Sequence, residues 1–274
     1  MRILIPADFS ERSRKAANYG SALAEKLNAE LTLIHIHQPP VSRNNPAYSL
    51  GADLDDDIRK STGIQLGDYY KDIFSQKSHY YAGLSRTGST ADEIVLEAAR
   101  QENSIIVMAT HRNNGIRQWM SGSYTAEVIE KTDQPVLVIP ENSPAKMPEN
   151  IAFITGCDSY DFVALQKLIG LAGALDSSIF LIHISTETKN GNQHIFKDFV
   201  DRIKLQSGYE KIYSSVIRQH DVLIGVTEYL RTHQIDLLSF NVRKKIMKKR
   251  LLQKTFTEKI SKVSELPLLI FHRP

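Results

Sequence analysis

The chain repeats itself, and that repetition constrains the fold more than any other feature of the sequence. "LTLIHI" (31–36) returns as "IFLIHI" (179–184) at a spacing of 148 residues. The same spacing sets "RILI" (2–5) over "NIAF" (150–153), and each is followed by a helix-like stretch. Near the end of each copy, "PVLVIP" (135–140) matches "PLLIFH" (267–272) at a spacing of 132, so the second copy is 16 residues shorter in between. The segment "QPPVSRNNPAYSLGA" (38–52), rich in Pro, Asn and Gly, has the character of an irregular loop and accounts for the difference. Two homologous domains are expected, 1–140 and 150–274, with 141–149 as linker inside the proline-containing "PENSPAKMPEN". A length of 274 residues accommodates two domains of about 100–150 residues each.

Within each copy, short apolar runs alternate with amphipathic stretches. In the first, strands are predicted at 2–6, 31–36, 79–84, 104–109 and 135–139, and helices near 11–27, 53–76, 90–101 and 122–132. The first helix carries Ala16, Tyr19, Leu23 and Leu27 on one face, with Ser10 as N-cap. Runs such as "SIIVMA" are continuously apolar, as strands buried on both faces are. The pattern predicts an α/β fold, a parallel sheet covered by helices on both sides. Ligands of such sheets sit beyond the carboxyl ends of the strands, where the strand order reverses. The polar loop "HRNNGIRQWMSGS" (111–123) follows the fourth strand and lies at that edge.

Composition narrows the class. No apolar run approaches the roughly 18 residues of a membrane span, and the apolar run before Pro6 is only three residues, Ile3, Leu4 and Ile5, too short for a signal-peptide core. The one cysteine, Cys157, forms no internal disulfide, which fits a reducing, cytoplasmic setting. The net charge of +3 is local: "RKKIMKKRLLQK" (243–254) holds seven basic and no acidic residues, and the rest of the chain is net acidic.

Three stretches resemble the universal stress protein family in a tandem two-domain form. "ILIPADFSERSRKAANYGSALAEKLNAELTLIHI" (3–36) is similar to its opening strand, helix and second strand. "GSTADEIVLEAARQENSIIVMATH" (88–111) resembles its fourth strand with the helix before it, and "GSYTAEVIEKTDQPVLVIP" (122–140) its closing helix and fifth strand. The resemblance covers nearly all of 1–140; for 150–274 it leans on the internal repeat. It implies two tandem Rossmann-like domains, each a mainly parallel five-stranded sheet flanked by helices, packed as an internal pseudo-dimer, with homodimers also within the family's range.

ATP-binding members carry a Gly, two residues, Gly, nine residues, Gly, Ser/Thr loop after strand four. Its glycines let backbone amides approach phosphate oxygens at a helix N-terminus. In this sequence the frame reads Ala109, Arg112, Gly122 and Ser123, with Thr125 at a further hydroxyl position. Arg112 either crowds the phosphates or pairs with them. Asp8 matches the acid that contacts the nucleoside, although the same carboxylate could stabilise the start of the first helix. Ile36 matches the position whose backbone meets adenine. ATP or another adenine nucleotide is therefore the implied ligand of the first domain. In the second, Asn241, Lys244, Lys254 and Thr255 replace the loop residues and Gly156 replaces Asp8, with Asp158 close enough for a small shift to recruit it. No ATP site is expected there.

Other groups carry less. Arg243, Lys244, Lys245, Lys248, Lys249, Arg250 and Lys254 form a candidate anion or partner surface. The segment has no aromatic residue for base stacking, so specific nucleic-acid binding is not expected. His35 and His37 share a strand face but lack further ligands at metal spacing, and His183 repeats His35, so no metal site is expected. Asp53, Asp55, Asp56 and Asp57 suit a helix N-terminus. Neither a catalytic triad elbow nor a complete P-loop is present, and Cys157 has no activating neighbour in sequence. The expected function is non-enzymatic stress-linked regulation through a ligand or protein partners. The alternative is an interaction scaffold without nucleotide that works through the basic loop 243–254.

Overall fold

A computed structural model describes residues 1–38, 63–69, 71, 73, 81–110, 124–141, 143, 146–185, 193–243 and 266–273. The first half runs β1 (Arg2–Pro6), α1 (Glu11–Leu27), β2 (Glu30–His37), α2 (63–69), β3 (Tyr81–Thr87), α3 (Thr90–Ala99), β4 (Ser104–Thr110), α4 (Tyr124–Lys131) and β5 (Val136–Pro140). The second runs β6 (Asn150–Ile154), α5 (Ser159–Leu175), β7 (Ser178–Ser185), α6 (Gln193–Ser207), β8 (Ile212–Arg218), α7 (Val222–Thr232), β9 (Leu237–Arg243) and β10 (Leu268–Arg273).

These strands form one sheet in the order β3-β2-β1-β4-β5-β10-β9-β6-β7-β8. Two five-stranded halves of identical order meet at β5 and β10. Every neighbouring pair is parallel except β5–β10, which is antiparallel with Leu268 opposite Val138, Leu269 opposite Leu137 and Ile270 opposite Val136. The closing strands of the two halves thus meet in a continuous hydrogen-bonded seam.

Strand residues alternate between two cores. Ile3, Ile5, Leu31 and Leu33 face one side with α1 and α5, while Leu4, Ile34, Ile106 and Val138 face the other with α3, α4 and α7. The first core is continuous across the seam, because α1 and α5 residues share it with Leu137, Leu269 and Phe271. The repeat reaches the helix caps. Ser10 caps α1 by accepting from the Ser13 amide and Asp158 caps α5; Asn28 and Asp176 close the two helices in the left-handed conformation that short polar side chains tolerate.

The elements depart from expectation at edges. β3 runs on to Thr87, past the expected end at 84, because an edge strand is half solvated and "SRT" is polar enough to read as loop; residues 79 and 80 of the expected strand lie outside the described residues. The helix expected over 53–76 is described at 63–69, 71 and 73; Asp53, Asp55, Asp56 and Asp57 lie outside the described residues. Arg243, expected to open the basic loop, is the last residue of β9 and pairs in register with Arg273. The stretch between the halves is tied down: Asp236 Oδ2 accepts from the amides of Glu149 and Asn150, both at 2.9 Å, and Ser177 donates to the Pro148 carbonyl at 2.6 Å.

Candidate functional site

In the first half the order β3-β2-β1-β4-β5 reverses direction between β1 and β4. After β1 the chain builds to one side through β2 and β3, then crosses to β4 on the other. Ligands of open parallel sheets bind in the crevice outside the carboxyl ends of the strands at such a switch point. Asp8, directly after β1, is exposed beside it. Its Oδ1 accepts from both the amide (3.0 Å) and the hydroxyl (2.5 Å) of Ser10, the residue that caps α1. Partial desolvation opposes ionisation of Asp8. The two Ser10 bonds, helped by Ser13 and Arg12, outweigh it and hold the carboxyl below its ordinary value. Asp8 therefore stabilises the strand-to-helix turn through Oδ1, and neither Ser10 bond uses Oδ2. The two roles weighed for it are compatible.

Phe9 takes a left-handed backbone, φ 61°, to make this turn. Its ring lies 4.7 Å from His35 and edge-on to Tyr69 at 5.5 Å, and Tyr69 hydroxyl is 3.0 Å from that of Ser13. His35 Nδ1 sits 2.6 Å from the Ala7 carbonyl, and its ring is 4.6 Å from that of His37. The histidines belong to an aromatic cluster under the turn. His183 repeats the arrangement, with Nδ1 3.0 Å from the Thr155 carbonyl and its ring stacked on Phe196.

Ile36 is half-buried on the opposite face of β2, packed against the α3 side, and pairs with Arg86 of β3. Ala109 lies within β4, in register with Ile139, and Thr125 is buried in the first turn of α4. Arg112, Gly122 and Ser123 fall outside the described residues, as do Lys244, Lys245, Lys248, Lys249, Arg250 and Lys254. Asp8, Ile36, Ala109 and Thr125 thus stand at the same edge of the sheet. A contact missed in the sequence lies at this edge: Gln38 donates to the Tyr124 hydroxyl at 2.6 Å and to Thr90 at 3.2 Å. It ties the start of α4 to the end of β2. Only the polarity of Gln38 directly after an apolar strand hinted at it.

The repeated crevice, between β6 and β9, has different contents. Asp158 is not available for recruitment, because its Oδ1 caps α5 through the amides of Tyr160 (3.0 Å) and Asp161 (2.9 Å), and its Oδ2 accepts from Arg273. Asp161, 1% exposed, accepts from Asn241 Nδ2 at 2.9 Å, Thr155 Oγ1 at 3.0 Å and the Gly156 amide at 2.6 Å. Beside it, Cys157 Sγ is 3.7 Å from His183 Nδ1. Burial pushes the thiol up to about 11; Thr155 opposes this, and the charges of Asp161 and Asp158 reinforce it. Such a thiol is a poor nucleophile at neutral pH.

Among the described residues, no helix is long and apolar enough to cross a membrane. The universal stress protein family profile matches residues 1–140. Over 144 residues the chain is 25% identical to universal stress protein YxiE of Bacillus subtilis (strain 168), covering 50% of this chain and 97% of that protein. It is 27% identical over 138 residues to universal stress protein MJ0531 of Methanocaldococcus jannaschii, covering 50% of this chain and 81% of that one. A universal stress protein structure from Archaeoglobus fulgidus DSM 4304 superposes with a TM-score of 0.73 at 14% identity, covering 99% of this chain and 96% of that one. A putative universal stress protein from Pseudomonas aeruginosa UCBPP-PA14 superposes at 0.59 and 10% identity, with coverages of 99% and 92%. At such identities the superpositions speak for the fold alone.

Proposed function

Because the chain belongs to the universal stress protein family, we propose that it is a non-enzymatic stress-response regulator whose first half binds an adenine nucleotide weakly. The division proposed is a nucleotide-responsive unit at 1–140 and a second unit at 150–274. The observation that carries the reading is the state of Asp8: an exposed carboxylate at the strand-order reversal, held ionised, with both Ser10 bonds on Oδ1. Its Oδ2 suits a ribose hydroxyl, and the backbone at Ile36 lies one strand away for the base. Thr125, with Gly122 and Ser123 before it, would meet phosphate at the start of α4, where amide donors and the helix dipole favour anions.

The affinity is expected to be modest. Ala109 sits inside β4, in register with Ile139, so it supplies no loop freedom. Arg112 replaces a glycine, and a left-handed conformation there costs about 1–2 kcal/mol, close to a tenfold loss.

The test is calorimetric titration of the full chain with ATP, beside the Asp8→Ala variant. Binding at a single site per chain, lost or strongly weakened in the variant, is the expected result. Absence of heat and of co-purified nucleotide would overturn the reading in favour of the scaffold that works through 243–254. Binding that survives in Asp8→Ala would place the ligand elsewhere.

A further inference from the structure

We infer that the switch point between β6 and β9 in the second half is taken up by the chain's own side chains, with Asp161, Asn241 and Arg273 joined there where the first half carries Ser13, Ala109 and Glu141. This concerns only what occupies the second crevice, so it stands or falls separately from the nucleotide reading of the first.

The internal repeat supplies the comparison. Thr155 stands where the first half has Ala7, Asp161 where it has Ser13, Asn241 where it has Ala109, and Arg273 where it has Glu141. Three small residues have become larger hydrogen-bonding ones, and the acidic Glu141 just after β5 has become the basic Arg273 at the end of β10. These changes converge on one carboxylate. Asp161 Oδ2 takes Thr155 Oγ1 and the Gly156 amide, while Oδ1 takes Asn241 Nδ2, with Arg273 Nη2 3.7 Å away. A buried carboxylate is tolerated only when paired and hydrogen-bonded in this way. Arg273 also bonds Asp158, so it clamps the end of β10 onto the start of α5.

The backbone donors at the crevice are consumed as well. The Gly156 amide bonds Asp161, and the Cys157 amide bonds Thr155 Oγ1 at 2.9 Å. The loss of an acid at 156 follows from the same cluster. A Cβ on Gly156 would lie 3.6 Å from Asp161 Oδ2, so an aspartate there would set two carboxylates against each other. The second crevice has not merely lost its ligand groups. Its remaining polar groups have been turned inward onto one another.

Cys157, the single cysteine, reports on this cluster in the full chain. The experiment measures iodoacetamide alkylation at pH 8 for the wild type, Asn241→Ala and Asp161→Ser, the last two restoring the residue types of the first half. Asp161→Ser should react at least about tenfold faster, because it opens the cluster and removes a charge that opposes thiolate formation. An unchanged rate in a variant with native circular dichroism overturns the inference. If Asp161→Ser does not fold, amide hydrogen exchange on the wild type decides. The Gly156 and Cys157 amides should exchange at least about tenfold more slowly than the repeat-related amides of Asp8 and Phe9. Equal exchange overturns the inference.

Discussion

Leu137 lies opposite Leu269 across the antiparallel seam, and each is the other's counterpart in the internal repeat. The flanking pairs, Val136 with Ile270 and Val138 with Leu268, are exchanged by the same relation. A pseudo-twofold axis therefore passes between the two leucines. The point at which the halves meet is also the point about which they are related.

Val138→Glu tests the seam. Val138 is 1% exposed, and a carboxylate there has no partner across from Leu268. Burying an unpaired charge should cost about 3–5 kcal/mol and expose an apolar strand edge. Size-exclusion chromatography should find association or loss of soluble protein. A monomer with an unchanged denaturant midpoint would mean the halves do not depend on this contact.

Glu97→Ala tests a buried ion cluster away from the site. Glu97 is 5% exposed and is bonded by Arg2 (3.0 Å) and Arg86 (3.1 Å), with Arg100 at 3.4 Å. Removing the carboxylate leaves the Arg2 guanidinium, in a residue 8% exposed, without its counter-charge, keeping only its bonds to Ser104 and the Glu97 carbonyl. A loss of about 3–5 kcal/mol is expected in urea unfolding. A loss below about 1 kcal/mol would mean that solvent reaches Arg2.

Cys157 sets a pH dependence. Its thiol is held at about 11 in the folded chain against 9.0 for a free one, so the folded state binds the proton more tightly. Its contribution to stability is complete below pH 9 and is lost as the pH rises toward 11. Alkylation of the native protein should rise along the same high-pH limb. A midpoint near pH 8 would show the thiol to be solvated.

Arg112→Gly addresses the loop between β4 and α4. Where ATP binds, the variant should tighten binding by up to about tenfold, through relief of the left-handed backbone cost. Titration with ATP measures it directly. A weakened affinity would instead assign Arg112 a bond to phosphate, and no change would mean its side chain points away.

Much of the fold was legible because buried parallel strands leave unbroken apolar runs and because every strand is written twice. The repeat marked β1, β2 and β5 with their counterparts before any geometry was known. Position 8 was ambiguous because either role for Asp8 calls for the same residue; only the bonds to Ser10 reveal how one carboxylate serves the turn and still faces the crevice. The Asp161 cluster was harder to see, since Asn241 and Arg273 lie 80 and about 112 residues further along, beyond the reach of local pattern. A signal was present: aligned with the first half, the places of Ala7, Ser13 and Ala109 all become hydrogen-bonding or more polar together. Read singly, Asn241 was only a missing glycine.

The continuous sheet has an evolutionary consequence. Two identical subunits joined at such an edge must carry every substitution twice, so both crevices change in step. Here one chain provides both sides of the seam, and a mutation is written once. Asn241 can bond Asp161 in one half while its counterpart Ala109 stays small in the other, and neither change is imposed on its twin. Covalent fusion thus frees the two halves to diverge, each side of one seam changing on its own.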